Sequence, residues 1–312
     1  MYIGIDIGGT KCAVVKGQKS ENGEIEIIDK IRFETVSYEE TFNKIIEAVE
    51  ALMPCEKIGI SCGGPLDEKK GIILSPPNLP GWDEVHITET LEKRFGVPAR
   101  LCNDANACAL AEWKFGAGKG SRNMVFMTFG TGLGAGLILD GKLYSGTNGM
   151  AGEAGHIRLD DDGPVGYGKA GSFEGFCSGG GIARLAKAYA RDAKKLGREV
   201  FFCTSDAEIE EITTKKIADL AKSGDKDAVE IFDRSARRLG MGLSIMIDIL
   251  NPERIVLGGI YTRCEELFKK EMYRVLESET LSDSLAVCRI LPAALGESIG
   301  DIAALAVADS IN

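Results

Sequence analysis

The chain has 312 residues, 44% of them apolar, which is enough for two domains with buried cores. Its 47 acidic and 37 basic residues give a formal net charge of −10, which disfavours long-range attraction to nucleic acid or to an anionic membrane but still allows a local basic groove. The nine cysteines are scattered and form no C-x-x-C pair, which indicates mostly buried thiols in a reducing compartment rather than a disulfide framework.

The first part of the chain has the pattern of an α/β domain. Alternating apolar residues over Tyr2–Ile7, a glycine turn and a resumed strand at 12–16 predict a β-hairpin, and a third strand is expected at 25–33. The pattern then predicts a helix at 41–52, a strand at Lys57–Cys62, a helix at Ile87–Phe95 with Thr88 as its N-cap, a strand at 99–102 and a helix at 105–115.

The opening strand–turn–strand unit then recurs. An apolar strand at Met124–Phe129 leads into a glycine-rich turn at 130–136 and a short strand at 137–139, closed by an Asp-Gly turn. Helices are expected at 182–196, 213–222, 228–250 and 299–311, and a strand at Arg254–Leu257 ends at two glycines. The recurrence predicts two halves of related architecture.

Two glycine turns are candidate phosphate-binding loops. Backbone N–H groups approach an anion closely where no Cβ intervenes, and residues 8–11 (GGTK) and 130–134 (GTGLG) meet this condition and add threonine hydroxyls. Each turn alone is equally compatible with an ordinary hairpin, but the two together, with Gly258-Gly259 after a third strand, favour phosphate binding. Residues 130–135 also fit G-x-G-x-x-A, yet a strand follows instead of a helix and the Walker pattern is absent, so neither a nicotinamide-dependent nor a P-loop enzyme is expected.

The chain resembles the ROK family (repressors, open reading frames and kinases) of the actin-like sugar-kinase superfamily. The matching stretches occur in family order: IGIDIGGTK at 3–11, PPNLPGW at 76–82, NDANACALAE at 103–112, TFGTGLGAG at 128–136, GEAGH at 152–156, SFEGFCSG at 172–179 and IVLGG at 255–259. The resemblance implies an α/β fold of two ribonuclease-H-like domains, 1–117 joined by the last helix at 298–312, and 118–297, with ATP and sugar in the cleft between them. It also implies an ATP- and Mg²⁺-dependent hexose kinase that forms a homodimer.

Asp104 matches the family's catalytic base. A carboxylate within hydrogen-bond reach of a sugar hydroxyl can take its proton as phosphorus is attacked. The alternative is that Asn103 and Asp104 cap the following helix, and both roles are compatible.

Further site residues are implied by the same resemblance. The positions that match sugar-binding residues, besides Asp104, are Gly64, Asn103, Glu153, His156 and Glu174. The positions that match nucleotide-binding residues are Asp6, Gly8, Gly9, Thr10, Lys11, Thr131, Gly132, Gly258 and Gly259. Asp6 would lie near the magnesium and the phosphates, although a strand-end aspartate can also cap its own hairpin.

The chain departs from its family at one motif. Most members bind a structural zinc through the histidine of GExGH and three cysteines, and Val165, Tyr167 and Ser172 stand where those cysteines would be. Zinc prefers about four nitrogen or sulfur ligands, so we expect no metal here. Packing by Val165, Tyr167 and Phe173 is expected in its place, with a backbone carbonyl or one of the aspartates 160–162 orienting His156. The default interpretation of those three aspartates is a solvated turn.

Two other functional classes compete with a kinase. A sugar-responsive transcriptional regulator would carry an N-terminal DNA-binding domain, for which a phosphate turn at residue 8 is expected to leave no room. A sugar-binding protein without catalysis would be expected to lose Asp104 or a phosphate loop.

Among kinases, transfer to the 6-hydroxyl of glucose is the first expectation. N-acetylmannosamine, N-acetylglucosamine, fructose, mannose and allose remain open as acceptors. The chain shows neither a signal-peptide pattern at its start nor an apolar run near the ~20 residues of a bilayer span. A cytoplasmic protein without nucleic-acid or membrane partners is therefore expected.

Overall fold

The computed structural model describes residues 1–203 and 205–311 and shows a mixed α/β fold. The elements of its first part are β1 (Tyr2–Ile7), β2 (Lys11–Lys19), β3 (Ile25–Glu34), α1 (Tyr38–Leu52), β4 (Lys57–Cys62), β5 (Leu66–Asp67), β6 (Ile72–Ile73), β7 (Val85–His86), α2 (Ile87–Phe95), β8 (Ala99–Asn103) and α3 (Asp104–Phe115). The strands and helices expected from the sequence in this part are all present.

The second part is richer in helix. Its elements are β9 (Met124–Phe129), β10 (Leu133–Leu139), β11 (Lys142–Tyr144), a 3₁₀ turn (Ala154–His156), β12 (Val165–Gly166), β13 (Lys169–Ala170), α4 (Phe173–Cys177), α5 (Gly179–Lys195), α6 (Asp206–Glu210), α7 (Thr214–Lys222), α8 (Lys226–Leu250), β14 (Arg254–Leu257), α9 (Ile260–Glu279), α10 (Ser282–Val287), β15 (Arg289–Pro292), a 3₁₀ turn (Gly296–Ser298) and α11 (Ile299–Asp309). None of the helices in the described ranges combines the length and the hydropathy that a bilayer crossing requires.

Two five-stranded sheets share one plan. Their strand orders are β3-β2-β1-β4-β8 and β11-β10-β9-β14-β15. In the first sheet β1 is antiparallel to β2 and parallel to β4, and in the second β10 is antiparallel to β11 and β14 is parallel to β15. Each sheet thus has three sequential strands at one side and two later strands at the other, which is the related architecture that the recurring unit predicted.

Contacts divide the chain into two compact units. The first comprises Met1–Phe126, Gly136–Ala151 and the segment from Ala293 onward, and the second comprises Met127–Ala135 and Gly152–Pro292. The domain limits implied by the resemblance, at 117/118 and 297/298, remain a prediction.

In the first unit the last helix, α11, packs on the sheet through small residues. Because side chains alternate between the two faces of a strand, Ile3 and Ile5 face the core beneath α1 while Gly4 faces α11. A Cβ built on Gly4 would lie 2.8 Å from the backbone nitrogen of Leu305, and one on Gly59 would overlap the helix backbone. The helix therefore lies against β1 and β4 at a distance that only glycine allows.

Two expectations about local structure were wrong, and one long helix was missed. The N-cap position of α2 is His86, and the Thr88 hydroxyl instead donates to the Gly71 carbonyl at 3.4 Å. Strand β10 begins at Leu133, inside the stretch expected to be a turn, because the glycine loop itself is short. The 20-residue helix α9 was missed, although its buried residues recur at helical spacing.

Candidate active site

The junction between β8 and α3 holds the predicted catalytic residue of the first unit. Asn103 is the N-cap of α3, and its Oδ1 accepts the backbone N–H groups of Ala105 at 3.0 Å and Asn106 at 3.4 Å. Asp104 is the first helical residue, and its Oδ1 accepts the Ala105 N–H at 2.8 Å. The capping interpretation therefore holds for Asn103, and the cap fixes the backbone that carries Asp104.

The other carboxylate oxygen of Asp104 faces a glycine pair. A Cβ built on Gly63 would lie 3.8 Å from Asp104 Oδ2, and one built on Gly64 would lie 3.8 Å from Asn103 Nδ2. Gly64, Asn103 and Asp104, all predicted to bind sugar, are thus neighbours. Asp104 is exposed and Asn103 is half-buried, and the two glycines carry no side chain that would cover them.

Surrounding protein atoms change the acidity of the carboxylates in this region. The Asp104 side chain is reached by solvent, yet desolvation by the protein around it raises its pKa. Burial raises the pKa of Asp6 to about 6, and the charges of Asp301 and Asp104 add to the effect. Lys30 forms an ion pair with Asp301. Asp6 therefore lies in a desolvated setting close to two other carboxylates, and the charges of Lys30 and Arg32 lower its pKa in part.

This donor set fits a magnesium ion that is held mainly by a phosphate ligand. Within residues 1–203 and 205–311, no group of three or more His, Cys, Asp or Glu side chains forms a protein cage for a metal. Mg²⁺ usually binds through one or two carboxylates together with waters and substrate phosphates. Asp6 offers such a carboxylate, and a nearby cation would favour its ionised form.

The first glycine turn joins β1 to β2. The Gly8 N–H donates to the Lys11 carbonyl at 3.1 Å and closes the turn. A Cβ on Gly9 would lie 2.6 Å from the carbonyl oxygen of Asn78, so the PPNLPGW stretch meets this turn where only glycine fits. Thr10 and Lys11 are exposed. The turn therefore presents a hydroxyl and an ammonium group to solvent beside backbone amides.

The second glycine turn, at 130–134, lies in the other unit and is held by a carboxylate. The Gly130 N–H donates to the Gly132 carbonyl at 3.0 Å, and Glu174 Oε2 accepts the Leu133 N–H at 3.1 Å. A Cβ on Gly132 would lie 2.8 Å from the same carboxylate oxygen. Glu174, predicted from the resemblance to bind sugar, thus also fixes the backbone of the turn, while Thr131 is exposed.

Two more predicted residues lie beside this turn. A Cβ on Gly155 would overlap the Leu133 carbonyl and lie 3.3 Å from Glu174 Cβ, so the 3₁₀ turn Ala154–His156 packs directly on both. Glu153 and His156 flank that glycine and are exposed. The second unit therefore brings Glu153, His156 and Glu174 together.

The third glycine segment, Gly258-Gly259, follows β14 and lies beside β9. The Gly258 N–H donates to the Met127 carbonyl at 2.8 Å. Gly259 has φ of 62° and is the N-cap of α9, and a Cβ there would overlap the Phe129 carbonyl. The pair thus lies next to the point where the 130–134 turn leaves β9, and helix α9 begins directly after it.

The loop that replaces the zinc motif is not packed as expected. Val165 is 49% exposed and Tyr167 is 83% exposed, so of the three residues expected to pack there only Phe173 is buried. The Ser172 hydroxyl caps α4 by accepting the Gly175 N–H at 3.1 Å and donates to the Gly166 carbonyl at 3.3 Å. A serine with these two bonds can hold the loop ends together where a cysteine would have bound a metal.

The surroundings of His156 also differ from the expectation. Its ring meets the edge of the Tyr167 ring, with centroids 6.3 Å apart. Asp160, one of the three aspartates considered for orienting His156, bonds to Arg238 instead. Tyr167, which stands where most family members have a zinc-binding cysteine, therefore contacts His156 directly through its ring.

One polar residue near the site was missed by the sequence motifs. Glu68 follows β5, and its carboxylate bonds to the β8–α3 junction. No sequence pattern marks it, because its partners lie 35 and 38 residues further along the chain.

Comparison with known proteins accounts for the order of these motifs. A sequence model of the ROK family matches residues 2–311. The chain belongs to the ROK family. A glucokinase of Streptomyces coelicolor is 37% identical over 263 residues, which cover 83% of this chain and 81% of that protein. A glucokinase of Thermotoga maritima is 30% identical over 312 residues, which cover 98% and 96%.

A solved structure of a family member has the same fold. The crystal structure of a ROK family glucokinase from Streptomyces griseus in complex with glucose and AMPPNP is 32% identical, covers 99% of both chains and has a TM-score of 0.76. The predictions of the family and of the two-domain, actin-like ATPase fold are therefore confirmed.

Proposed function

We propose that this protein is an ATP-dependent hexose kinase whose first candidate acceptor is the 6-hydroxyl of glucose. The observation that carries the proposal is the Asp104 carboxylate, mounted on a capped helix start with one oxygen facing an open glycine pair. Glucokinases of 37% and 30% identity that align with most of this chain support it.

In this proposal Asp104 is the general base. The acceptor hydroxyl donates a hydrogen bond to Oδ2, and the proton passes to this carboxylate as the oxygen attacks the terminal phosphorus of ATP. Desolvation raises the pKa of Asp104, which makes the carboxylate a better proton acceptor than a fully hydrated one.

Residues proposed to bind the sugar come from both units. Asn103 Nδ2 and the backbone at Gly64 would bind hydroxyls next to Asp104. Glu153, His156 and the Oε1 atom of Glu174 would bind others, since Glu174 Oε2 is already bonded to the Leu133 N–H. Hydroxyls that pair with such groups give selectivity, because a sugar lacking one leaves a polar group unpaired.

The nucleotide set consists of the glycine turns. Residues 8–11 and 130–134 with Gly258-Gly259 would bind the phosphates through the Thr10 and Thr131 hydroxyls, the Lys11 ammonium and backbone N–H groups. The N–H groups of Gly8, Gly130, Leu133 and Gly258 are not among these donors, because they are bonded within the protein. Asp6 would hold Mg²⁺ directly or through water, and the ion would neutralise charge on the phosphates.

The test is an assay of ADP release with ATP, Mg²⁺ and a panel of hexoses: glucose, mannose, fructose, allose, N-acetylglucosamine and N-acetylmannosamine. We expect release to depend on the sugar and to have its highest kcat/KM with glucose. ADP release that is the same with and without every hexose would refute the proposed function. A higher kcat/KM for another hexose would replace glucose as the acceptor.

The dimer and the cytoplasmic location are separate proposals that the family resemblance implies. Light scattering of the purified protein should give twice the mass of 33.4 kDa. Fractionation of the source cells should place the protein with the cytosol.

A further inference from the structure

The Glu68 carboxylate connects three segments of the first unit. Its Oε1 accepts the Asn103 N–H at 2.8 Å and an Asn106 Nδ2 hydrogen at 3.1 Å. Its Oε2 accepts the Ser145 hydroxyl at 2.9 Å. Two of these donors belong to the junction of β8 and α3 that carries Asp104.

The turn that presents Glu68 is itself fixed by local bonds. Asp67 Oδ1 accepts the N–H groups of Lys69 at 3.1 Å and Lys70 at 3.0 Å, and the Gly71 N–H donates to the Asp67 carbonyl at 2.8 Å. Gly71 has φ of 69°, and a Cβ there would overlap the Thr88 side chain. Glu68 is therefore held in place on a tight turn and is not a side chain that samples solvent freely.

The bonds of Glu68 complete the cap that carries Asp104. Asn103 fixes the start of α3 by accepting two N–H groups through its side chain, and Glu68 fixes Asn103 by accepting its own N–H. Asn106 is 2% exposed, and within the described ranges its Oδ1 has no hydrogen-bond partner. Its hydrogen bond to Glu68 therefore fixes the orientation of the Asn106 side-chain amide, because the reversed amide would place its Oδ1 against the Glu68 carboxylate, and both are acceptors.

We propose that Glu68 is a positioning residue that holds Asn103 and Asp104 in the geometry needed for proton transfer from the acceptor. The proposal rests on the function proposed above. Hydrogen bonds from backbone N–H groups to a carboxylate are strong, and removing the acceptor leaves partly buried donors unpaired. Misplacement of a reacting group by about 1 Å can lower the rate about 100-fold.

Three variants separate positioning from general stability. Glu68→Ala removes both carboxylate oxygens, which accept the hydrogen bonds from Asn103, Asn106 and Ser145. Glu68→Gln keeps Oε1 for Asn103 and Asn106, and its amide can donate to the Ser145 oxygen, so it retains the geometry without the charge. Glu92→Ala is the matched control, since Glu92 Oε1 accepts the Ala99 N–H at 3.0 Å at the opposite end of the same strand.

The readouts are kcat and KM for the hexose and ATP, and amide hydrogen exchange at Asn103. We expect Glu68→Ala to lower kcat about 100-fold, to leave KM for ATP unchanged and to accelerate exchange at Asn103. Glu68→Gln should retain most of the kcat and most of the protection from exchange at Asn103 that Glu68→Ala loses. Glu92→Ala should lower the thermal midpoint as Glu68→Ala does but keep kcat and the Asn103 exchange rate.

Two results would overturn the inference. One is a kcat of Glu68→Ala, per folded molecule, equal to that of Glu92→Ala. The other is a Glu68→Gln variant as inactive as Glu68→Ala, which would assign the effect to charge. If the unaltered protein phosphorylates no hexose, the proposed function fails, and hydrogen exchange alone decides: faster exchange at Asn103 in Glu68→Ala than in Glu92→Ala supports positioning, and equal exchange refutes it.

Discussion

Replacing Asp104 by asparagine tests the proposed base without disturbing the helix that carries it. The asparagine Oδ1 can still accept the Ala105 N–H that Asp104 Oδ1 accepts at 2.8 Å, and Asn103 remains the N-cap. Since the cap is intact, the free energy of unfolding should change by less than about 1 kcal/mol. General-base catalysis contributes about 10²–10⁴-fold, so the activation barrier should rise by about 2.7–5.4 kcal/mol.

The assay measures ADP release with the best hexose of the panel, together with calorimetric binding of that sugar and the thermal midpoint. Turnover of Asp104→Asn should fall by about 10²–10⁴-fold. Its affinity for the sugar and its thermal midpoint should stay close to those of the unaltered protein. A turnover within about tenfold of the unaltered value, at equal folded fraction, would remove Asp104 as the base. Loss of sugar binding together with turnover would instead assign Asp104 to sugar recognition.

Three further changes test other parts of the structure. Folding favours protonated Asp6, whose pKa rises from 3.8 to about 6, so this stabilisation is present at acid pH and is lost as the pH rises through about 6. Asp6→Asn should therefore raise the free energy of unfolding by about 1–3 kcal/mol at about pH 7.5 and change it little near pH 3.5. Equal shifts in urea titrations at both pH values would contradict this. Gly59→Ala should lower the free energy of unfolding by about 1–3 kcal/mol or more, because its methyl group would overlap the backbone of α11. Gly130→Ala is the control and should not lower it, because a Cβ built on Gly130 has its nearest neighbouring atom at 3.9 Å. Equal urea midpoints for the two variants would argue against the close packing. Because Ser172 and two non-ligand residues replace the three cysteines, chelation should leave the thermal midpoint unchanged, and stoichiometric zinc in elemental analysis would contradict that expectation.

The sequence predicted best what depends on neighbouring residues. The hairpin β1–β2, strand β4 and helix α3 follow from local periodicity and from the glycine turn after β1. The repeated unit also predicted two halves of related architecture, and the two sheets have corresponding strand orders. These features need no knowledge of partners that are distant along the chain.

Distant partners explain what could not be predicted. Nothing local to Tyr167 indicates that its ring would be 83% exposed and lie beside His156. The expected packing assumed that lost metal ligands are replaced by apolar burial. The Ser172 hydroxyl makes hydrogen bonds to the backbone instead, and these depend on where Gly166 lies in the folded loop.

The motifs of both units are held by carboxylates that other segments provide. Glu174 accepts the Leu133 N–H of the 130–134 turn, and Glu68 accepts the Asn103 N–H at the start of α3. In each case a glutamate bonds the backbone beside a residue proposed to contact a substrate. Removing such an acceptor releases the backbone, whereas replacing Asp104 by asparagine removes the base and leaves the backbone fixed. Glu68→Ala and Asp104→Asn should therefore differ in hydrogen exchange at Asn103 even where they lose similar turnover.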